Sequence, residues 1–366
     1  MRIAIISAIK PYEGSGSGIT EYTYQLLTHL KRLLSKADQV TTLYTLKRVK
    51  GNNIKGLFYT NTLFKRSLLK TSLRNYDVIH ITDHEMGFVA RLLKESGTKA
   101  KIITTVHDLS RFEKILHRGM MQKIYNRLVI TNISDATRYS DVILCNSTQT
   151  YETIKQRFPR RINMHIVPNG VDDGIIRHKQ YPKKKSKFTI GYIGALLPHK
   201  NVIFILKIAE HLRNLNTYRF KIYGSGVELH SLLKYKNSKS LSNVEFGGLL
   251  PERQKIKMYD SFDAFVFPSY YEGFGLPILE AQARGLPVII YKHCKIPKEV
   301  RKYCLEAENP ADAARIIECI KRGEYKKIPM QRARKYSRRF TWNKNARATL
   351  EIYKRVCFYE NNARRH

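Results

Sequence analysis

Runs of apolar and β-branched residues alternate with helix-like segments along the first half of the chain. The apolar runs are, in order, RIAIIS, VTTLYTL, YDVIHI, KIITTV and DVILCNS. Leucines at positions 26, 27, 30 and 34 recur at helical spacing after the first run, so they predict a helix, with Thr20 as its N-cap. Strands that alternate with helices form a parallel, doubly wound sheet, which binds ligands at the carboxyl ends of its strands.

The second half of the chain repeats this alternation, with strands expected at FTIGYIG, RFKIYGSG and AFVFPS. Between the halves, VPNGVD carries Pro168 and Gly170, which favour a turn and therefore a domain boundary. A chain of 366 residues is long enough for two domains, each with its own core. We therefore expect an α/β protein made of two doubly wound domains.

The chain is strongly basic, with 66 Lys and Arg residues against 30 Asp and Glu and a formal net charge of +36. Such an excess indicates a polyanionic partner, either nucleic acid or an anionic membrane surface. Nucleic acid is less favoured, because the sequence has no zinc-ligand spacing and no recognisable RNP-like aromatic motif. No apolar run of transmembrane length is present, and the five scattered cysteines are typical of a reduced, cytoplasmic protein.

The stretch Ser269–Pro287, SYYEGFGLPILEAQARGLP, combines two carboxylates with a glycine turn. Glu272 precedes the turn and Glu280 lies in the helix that follows. Gly273 and Gly275 stand where the backbone either comes close to a ligand or takes an unusual φ. Because a strand, a glycine turn and a helix in that order present backbone N–H groups and the positive end of a helix, the stretch suits an anionic ligand, above all a diphosphate.

The motif E-G-F-G-L-P-x-x-E-A resembles the E-x7-E signature of retaining nucleotide-sugar glycosyltransferases of family four, which have the GT-B fold. The resemblance implies that Glu272 is catalytic and faces the donor sugar. It also implies that Glu280 takes the two ribose hydroxyls, as an acceptor-only carboxylate can. The donor-binding residues implied by the rest of the motif are Gly273, Phe274, Gly275 and Leu276.

A second segment, GALLPHKN, is similar to the phosphate segment G-R-L-x-x-x-K-G of the same family. This makes Gly194 a donor-binding residue and Lys200 both a donor-binding and a catalytic residue. Ala195 departs from the pattern, because many members have Arg there, so one diphosphate cation is absent or supplied elsewhere. Asn201 is expected to cap the next helix, with Lys200 at the helix entrance, where a phosphate-binding cation belongs.

Segments in both halves complete the implied donor site. In the second half, the glycine turn at Gly224 and the segment around Phe246 are implied to lie beside the nucleotide. In the first half, TVHDL is similar to the segment in which a strand-end His approaches the donor sugar, so His107 is predicted to be catalytic. The turn GSGSG, with Gly16 and Gly18, is a second candidate phosphate loop, for which a mere linker is the alternative.

The resemblance implies two Rossmann-like domains that face a central cleft. Residues 1–170 would then bind the acceptor and residues 171–343 the nucleotide sugar. The segment 344–366 would cross back to the first domain as a helix from about residue 346 to residue 359. The residues predicted to form the buried face of that helix are Trp342, Ala346, Leu350 and Tyr353.

The family moves a hexose from a nucleotide diphosphate sugar to an acceptor hydroxyl, so GDP-mannose or a UDP-hexose is the expected donor. Catalysis must stabilise a leaving diphosphate and an oxocarbenium-like sugar. The resemblance implies that a phosphate oxygen serves as the base and that no metal ion or other cofactor is required. A GT-B phosphorylase or a nucleotide-sugar epimerase is the rival, but no pyridoxal lysine can be placed and epimerases lack this glutamate element.

Basic residues mixed with apolar ones favour a membrane surface as the polyanionic partner. The stretch Leu63–Leu73, LFKRSLLKTSL, places leucines beside Lys65, Arg66 and Lys70, and residues 111–127 add five basic residues. This mixture fits a segment in a membrane interface, which predicts a peripheral protein on the cytoplasmic face and a lipid-linked acceptor. The alternative is that this segment is a core-facing helix with a basic outer face, in which case the acceptor is soluble.

Overall fold

The computed structural model describes residues 1–12, 18–46, 73–109, 112, 120–177, 187–213, 217–324 and 330–359. The chain divides into two compact units. Unit 1 comprises Met1–Gly170 together with Trp342–His366, and unit 2 comprises Val171–Thr341.

Unit 1 is built on a parallel six-stranded sheet with the order β2-β1-β3-β4-β5-β6. Its strands are β1 (Arg2–Ile9), β2 (Gln39–Leu46), β3 (Val78–Ile81), β4 (Lys101–Val106), β5 (Val142–Cys145) and β6 (Met164–Ile166). All five predicted apolar runs form strands. The strand order reverses between β1 and β3, so the carboxyl ends of these strands are where a doubly wound sheet binds ligands.

Helices cover this sheet: α1 (Gly18–Leu33), α2 (Phe88–Glu95), α3 (Met120–Tyr139) and α4 (Thr148–Arg157). In α1, Leu26, Leu27 and Leu30 are buried, as their spacing predicts. Thr20 was expected as the N-cap, and this expectation is wrong. The helix already includes Gly18, and Thr20 is buried within the first turn, whereas an N-cap residue lies outside the helical conformation.

Unit 2 repeats the arrangement with a parallel sheet of order β12-β11-β10-β7-β8-β9. The strands are β7 (Phe188–Ile193), β8 (Tyr218–Tyr223), β9 (Val244–Gly248), β10 (Ala264–Phe267), β11 (Val288–Tyr291) and β12 (Leu305–Ala307). The chain first adds strands on one side of β7 and then continues at β10 on its other side. The strand order therefore reverses between β7 and β10, and the loops that follow these two strands meet at one edge of the sheet.

The helices of unit 2 are α5 (Asp173–Arg177), α6 (Ile203–His211), α7 (Leu229–Ser238), α8 (Glu252–Ser261), α9 (Leu276–Ala283), α10 (Lys298–Arg301), α11 (Pro310–Lys321) and α12 (Met330–Ser337). The prediction that Asn201 caps α6 is wrong. Asn201 ends a short 3-10 turn, Pro198–Lys200, in the left-handed conformation with φ +52°, and Val202 separates it from the helix. Asparagine tolerates this conformation, and its side-chain amide donates to the carbonyl of Pro268 at 3.2 Å.

The C-terminal helix α13 (Trp342–Lys354) belongs to unit 1, where it packs on α1. The predicted face is confirmed, because Trp342, Ala346, Leu350 and Tyr353 are all buried. The Tyr353 hydroxyl is hydrogen-bonded to His80 Nδ1 on β3 at 2.5 Å, which joins the helix to the sheet.

Within the part of the chain that the structure describes, no helix is long and apolar enough to cross a membrane. The predicted membrane-interface segment at 63–72 lies outside the described residues, as do residues 111 and 113–119 of the second basic segment.

Candidate active site

The candidate site of unit 2 lies at the carboxyl ends of the central strands β7 and β10, which we call the β7/β10 edge. The loops that follow these two strands are hydrogen-bonded to each other. The N–H of Tyr270, in the loop after β10, donates to the carbonyl of His199, in the loop after β7, at 2.8 Å. The Asn201 amide bonds the same loop at Pro268. These two contacts fix Lys200, which lies between His199 and Asn201, against the segment that carries Glu272.

Lys200 and Glu272, both predicted to be catalytic, form an ion pair with each other. The Lys200 ammonium donates to both carboxylate oxygens of Glu272, at 2.7 and 2.8 Å. The two side chains are only 17% and 9% exposed, respectively. The backbone N–H of Glu272 donates to the carbonyl of Lys295 at 3.0 Å, so its main chain is also held. An ammonium has three donors, so Lys200 keeps one for a further acceptor while the pair is intact.

The glycine turn after Glu272 takes the unusual backbone conformation that the sequence predicts. Gly275 has φ +99° and ψ +48°, a left-handed geometry that disfavours any side chain, and α9 begins directly after it. Phe274 is buried against Phe340, with ring centroids 6.1 Å apart, and Leu276 packs against the core of unit 2. Phe274 and Leu276 pack their side chains against other residues, and Gly273 and Gly275 have no side chain. The turn can therefore contact a nucleotide sugar only through its backbone groups.

Glu280 lies on the second turn of α9 and is 4% exposed. One carboxylate oxygen accepts from the Lys255 ammonium and the other from the Tyr259 hydroxyl, both at 2.7 Å. Lys255 and Tyr259 are four residues apart on α8, so they share one face of that helix. Each oxygen of a carboxylate has two acceptor sites, so Glu280 can take further donors, as a ribose diol would supply.

Lys255 remains an ammonium despite its burial. Burial alone lowers the pKa of Lys255, but the carboxylates of Glu280 and Glu252 outweigh this effect and raise it above its usual value. Burial and the charge of Glu280 likewise raise the pKa of Tyr259, which keeps its hydroxyl protonated as a donor.

Sequence reasoning missed Lys255 and Tyr259. A signal was present, because Glu280 stands among the apolar residues of a helix, and a carboxylate buried there needs donors nearby. The matching pair on α8, a lysine and a tyrosine at helical spacing, could have been sought on that ground.

Glycines bring the loops after β7, β8 and β9 into close contact. A Cβ atom at Gly224 would lie 1.8 Å from the carbonyl oxygen of Gly194, and Gly224 has φ +146°. The N–H of Gly224 donates to the carbonyl of Gly248 at 2.7 Å. Phe246, in β9, is partly buried against the core. The structure thus places Gly194 and Gly224 in contact with each other at the carboxyl ends of β7 and β8.

His107 belongs to unit 1, directly after β4, and is 6% exposed. Its Nε2 donates to the carbonyl of Thr82 at 2.7 Å, and its backbone N–H donates to His84 Nδ1 at 3.4 Å. Burial, and then the charge of His84, lower the pKa of His107 to about 4. His107 is therefore neutral at pH 7, with its proton on Nε2. Gly18 is the first residue of α1, and Gly16 lies outside the described residues.

A second buried histidine, His80 on β3, bonds the Thr105 hydroxyl through Nε2 at 2.7 Å in addition to Tyr353. Burial, and then the charge of His107, lower the pKa of His80 to about 3. Both histidines charge in an unfolded chain near pH 6.5. The stability that depends on their neutral form is therefore present above that pH and is lost as the pH falls toward 4 and 3.

Asp83, in the loop after β3, titrates in the opposite sense. Burial and the neighbouring Glu85 raise the pKa of Asp83 to about 6. Between about pH 4 and 6 the folded protein holds this proton more tightly than the unfolded chain does, so Asp83 adds stability as the pH falls. The stability that Asp83 gains in acid opposes the stability that the two histidines lose.

No group of three or more metal-ligating side chains occurs among the residues described.

The chain resembles two proteins of Escherichia coli over more than half of its length. It is 28% identical over 249 residues to a UDP-Gal:alpha-D-GlcNAc-diphosphoundecaprenol alpha-1,3-galactosyltransferase, covering 63% of this chain and 62% of that protein. It is 25% identical over 276 residues to an O-antigen chain mannosyltransferase B, covering 73% of this chain and 64% of that protein. These alignments span less than two thirds of either relative.

Among solved structures, a sucrose-phosphate synthase from Thermosynechococcus elongatus matches with a TM-score of 0.76, covering 97% of this chain and 98% of that chain at 17% identity. At this identity the likeness shows the fold alone, which is the predicted GT-B type with two Rossmann-like domains. Two family models match adjacent parts of the sequence, "Glycosyltransferase Family 4" at residues 17–174 and "Glycosyl transferases group 1" at residues 175–355. Together these matches cover most of the sequence, and the chain belongs to the group 1 glycosyltransferases.

Proposed function

We propose that this protein transfers a hexose from a nucleotide diphosphate sugar to the hydroxyl of a lipid-linked saccharide, with retention of the anomeric configuration. The observation that carries the proposal is the paired Lys200 and Glu272 at the β7/β10 edge, followed by the buried Glu280 on α9. A doubly wound sheet binds its ligand at such an edge, and a cation beside carboxylates suits a diphosphate joined to two polyols.

The diphosphate end of the donor is assigned to Lys200 and to the backbone N–H groups of the glycine turn. The third donor of the Lys200 ammonium is directed to a phosphate oxygen, where it stabilises the charge that develops as the diphosphate leaves. Ala195 supplies no second cation, so Lys200 contributes more to stabilising the leaving diphosphate than it would in a relative with Arg at that position.

The sugar and the ribose are assigned to the two glutamates. Glu272 faces the hexose, where its negative charge favours the oxocarbenium-like transition state. Glu280, held by Lys255 and Tyr259, accepts from the ribose diol. His107 is assigned to a sugar hydroxyl, which it meets as a neutral ring that accepts through Nδ1, because Nε2 already donates to Thr82.

In the proposed reaction, the bond between the anomeric carbon and the diphosphate oxygen breaks, and the acceptor oxygen bonds to that carbon on the same face. The acceptor proton passes to the departing phosphate oxygen, so the products are the glycoside and a nucleoside diphosphate. This scheme needs no second catalytic carboxylate, and we propose that it runs without a metal ion.

The two relatives suggest which donors and acceptors to try. One is named for UDP-Gal and a diphosphoundecaprenol acceptor, and the other is named as a mannosyltransferase. A UDP-hexose or GDP-mannose is therefore the proposed donor for this chain. A polyprenyl-diphosphate saccharide at the cytoplasmic face of a membrane is the proposed acceptor.

A donor screen tests this function. Purified protein is incubated with GDP-mannose, UDP-glucose, UDP-galactose or UDP-GlcNAc, with and without polyprenyl-diphosphate saccharides, and the nucleoside diphosphate that is released is measured. We expect one donor to be used and the release of nucleoside diphosphate to depend on the acceptor. NMR of the product should show the same anomeric configuration as in the donor. Glu272→Gln should lose this activity, while Glu324→Gln, at the exposed surface pair with Arg322, should keep it. No release and no binding with any donor would refute the proposal.

A further inference from the structure

Helix α3 carries an apolar stripe that the described residues of unit 1 leave exposed. Met120 is 78% exposed, Ile124 48% and Leu128 37%. Because the three residues are four positions apart, they lie along one side of the helix. The opposite side of α3 is buried in the core through Tyr125, Val129 and Ile133. We call Met120, Ile124 and Leu128, with the cations described next, the α3 face.

Exposed cations flank this stripe. Lys123 and Arg127 are each three residues after one of its members, and both side chains are exposed. The structure records no ion pair for either cation with a carboxylate that it describes. The helix sequence has no acidic residue before Asp135, so its first fifteen residues are either neutral or basic.

We propose that the α3 face docks on an anionic lipid bilayer, with its three apolar side chains inserted among the head groups and Lys123 and Arg127 against the lipid phosphates. Apolar residues along one helix side with cations beside them are typical of an interfacial helix. The net charge of +36 favours an anionic surface over a neutral one.

This surface deepens the proposed function, because a lipid-linked acceptor is reached from a membrane surface, but vesicle binding can be measured without any donor. It also differs from the first predicted membrane segment, of which residues 63–72 lie outside the described residues. The α3 face overlaps the second predicted basic segment, residues 111–127, and the exposure of its five side chains is known.

The test is cosedimentation with vesicles of phosphatidylglycerol and phosphatidylcholine, or of phosphatidylcholine alone, at low and high salt. We expect binding to the anionic vesicles only, weakened by salt. Ile124→Asp and the double variant Lys123→Glu/Arg127→Glu should each reduce vesicle binding at least about tenfold while leaving the thermal transition unchanged. The matched controls in unit 2 are Val227→Asp, at a side chain that is 80% exposed, and Lys234→Glu/Lys257→Glu, which should bind as the unaltered protein does.

Tryptophan fluorescence gives a second test of whether the α3 face enters the bilayer. The chain has a single tryptophan, Trp342, which is buried, so Ile124→Trp adds one exposed reporter. Its fluorescence should shift to the blue on adding anionic vesicles. Absence of the shift, equal losses in the controls, or binding of an acidic peptide without vesicle binding would each overturn the membrane assignment. Donor turnover with a soluble acceptor analogue, measured in parallel, separates failure of this surface from failure of the proposed function.

Discussion

Replacing Lys200 by Met tests the ion pair at the centre of the candidate site. The substitution keeps most of the side-chain volume but removes the ammonium that donates to both oxygens of Glu272. The Glu272 carboxylate, 9% exposed, then loses that cation while remaining buried. Removing one partner of a buried ion pair costs about 3–5 kcal/mol. We take the low end, about 3 kcal/mol, because the Lys200 side chain is still 17% exposed and reaches some solvent.

A loss of about 3 kcal/mol lowers the melting temperature of a domain of this size by about 6–12 °C, measurable by calorimetry or circular dichroism. The double variant Lys200→Met/Glu272→Gln should recover part of this loss, because it leaves no carboxylate behind. Arg219→Met, at the exposed pair with Glu245, is the control and should cost at most about 1 kcal/mol after solvent screening. A Lys200→Met protein that melts with the unaltered one, or a double variant whose losses simply add, would refute the pairing.

Three further predictions concern a hydrogen bond to Glu280, the buried titratable groups of unit 1 and the close contact at Gly224. Tyr259→Phe should weaken nucleoside diphosphate binding with an intact fold, since it removes one donor to Glu280 but no ring contact; unchanged affinity in calorimetry would contradict this. Acid should destabilise the protein between about pH 6 and 4, because the stability lost at His80 and His107 exceeds the stability gained at Asp83, and His107→Asn should flatten the slope in pH-dependent denaturant melts. Gly224→Ala should cost about 1–3 kcal/mol in the same melts, because φ +146° is strained for any side chain and the added Cβ would meet a carbonyl oxygen at 1.8 Å.

The fold was predictable because its signal repeats along the chain. Each buried parallel strand appears as an apolar run, and the regular return of helices between the runs specifies a doubly wound sheet. Helix starts were less accessible. Thr20 and Asn201 have the residue types of N-caps, but the position of a helix start depends on contacts elsewhere, such as the bond from Asn201 to Pro268. Residue type alone does not contain that information.

For the site, the sequence identified the charged groups but not their pairing. Lys200 and Glu272 are 72 residues apart, and only the adjacency of β7 and β10 brings them within 2.7 Å. The donors to Glu280 come from α8, which the motif does not include. A short motif reports which groups are present, whereas the sheet order decides which groups meet.

We propose that Glu280 holds the ribose diol of a nucleotide donor. The direct measurement is titration calorimetry of UDP and GDP, with their 2′,3′-dideoxy forms, into the unaltered protein and Glu280→Gln. Hydrogen bonds to a charged group are worth about 1.5–3 kcal/mol, so Glu280→Gln should bind the preferred diphosphate about 10- to 150-fold more weakly. The dideoxy form, which lacks the diol, should bind both proteins alike. Equal affinity of UDP or GDP for the two proteins, or equal affinity of the natural and dideoxy forms for the unaltered protein, would contradict the account.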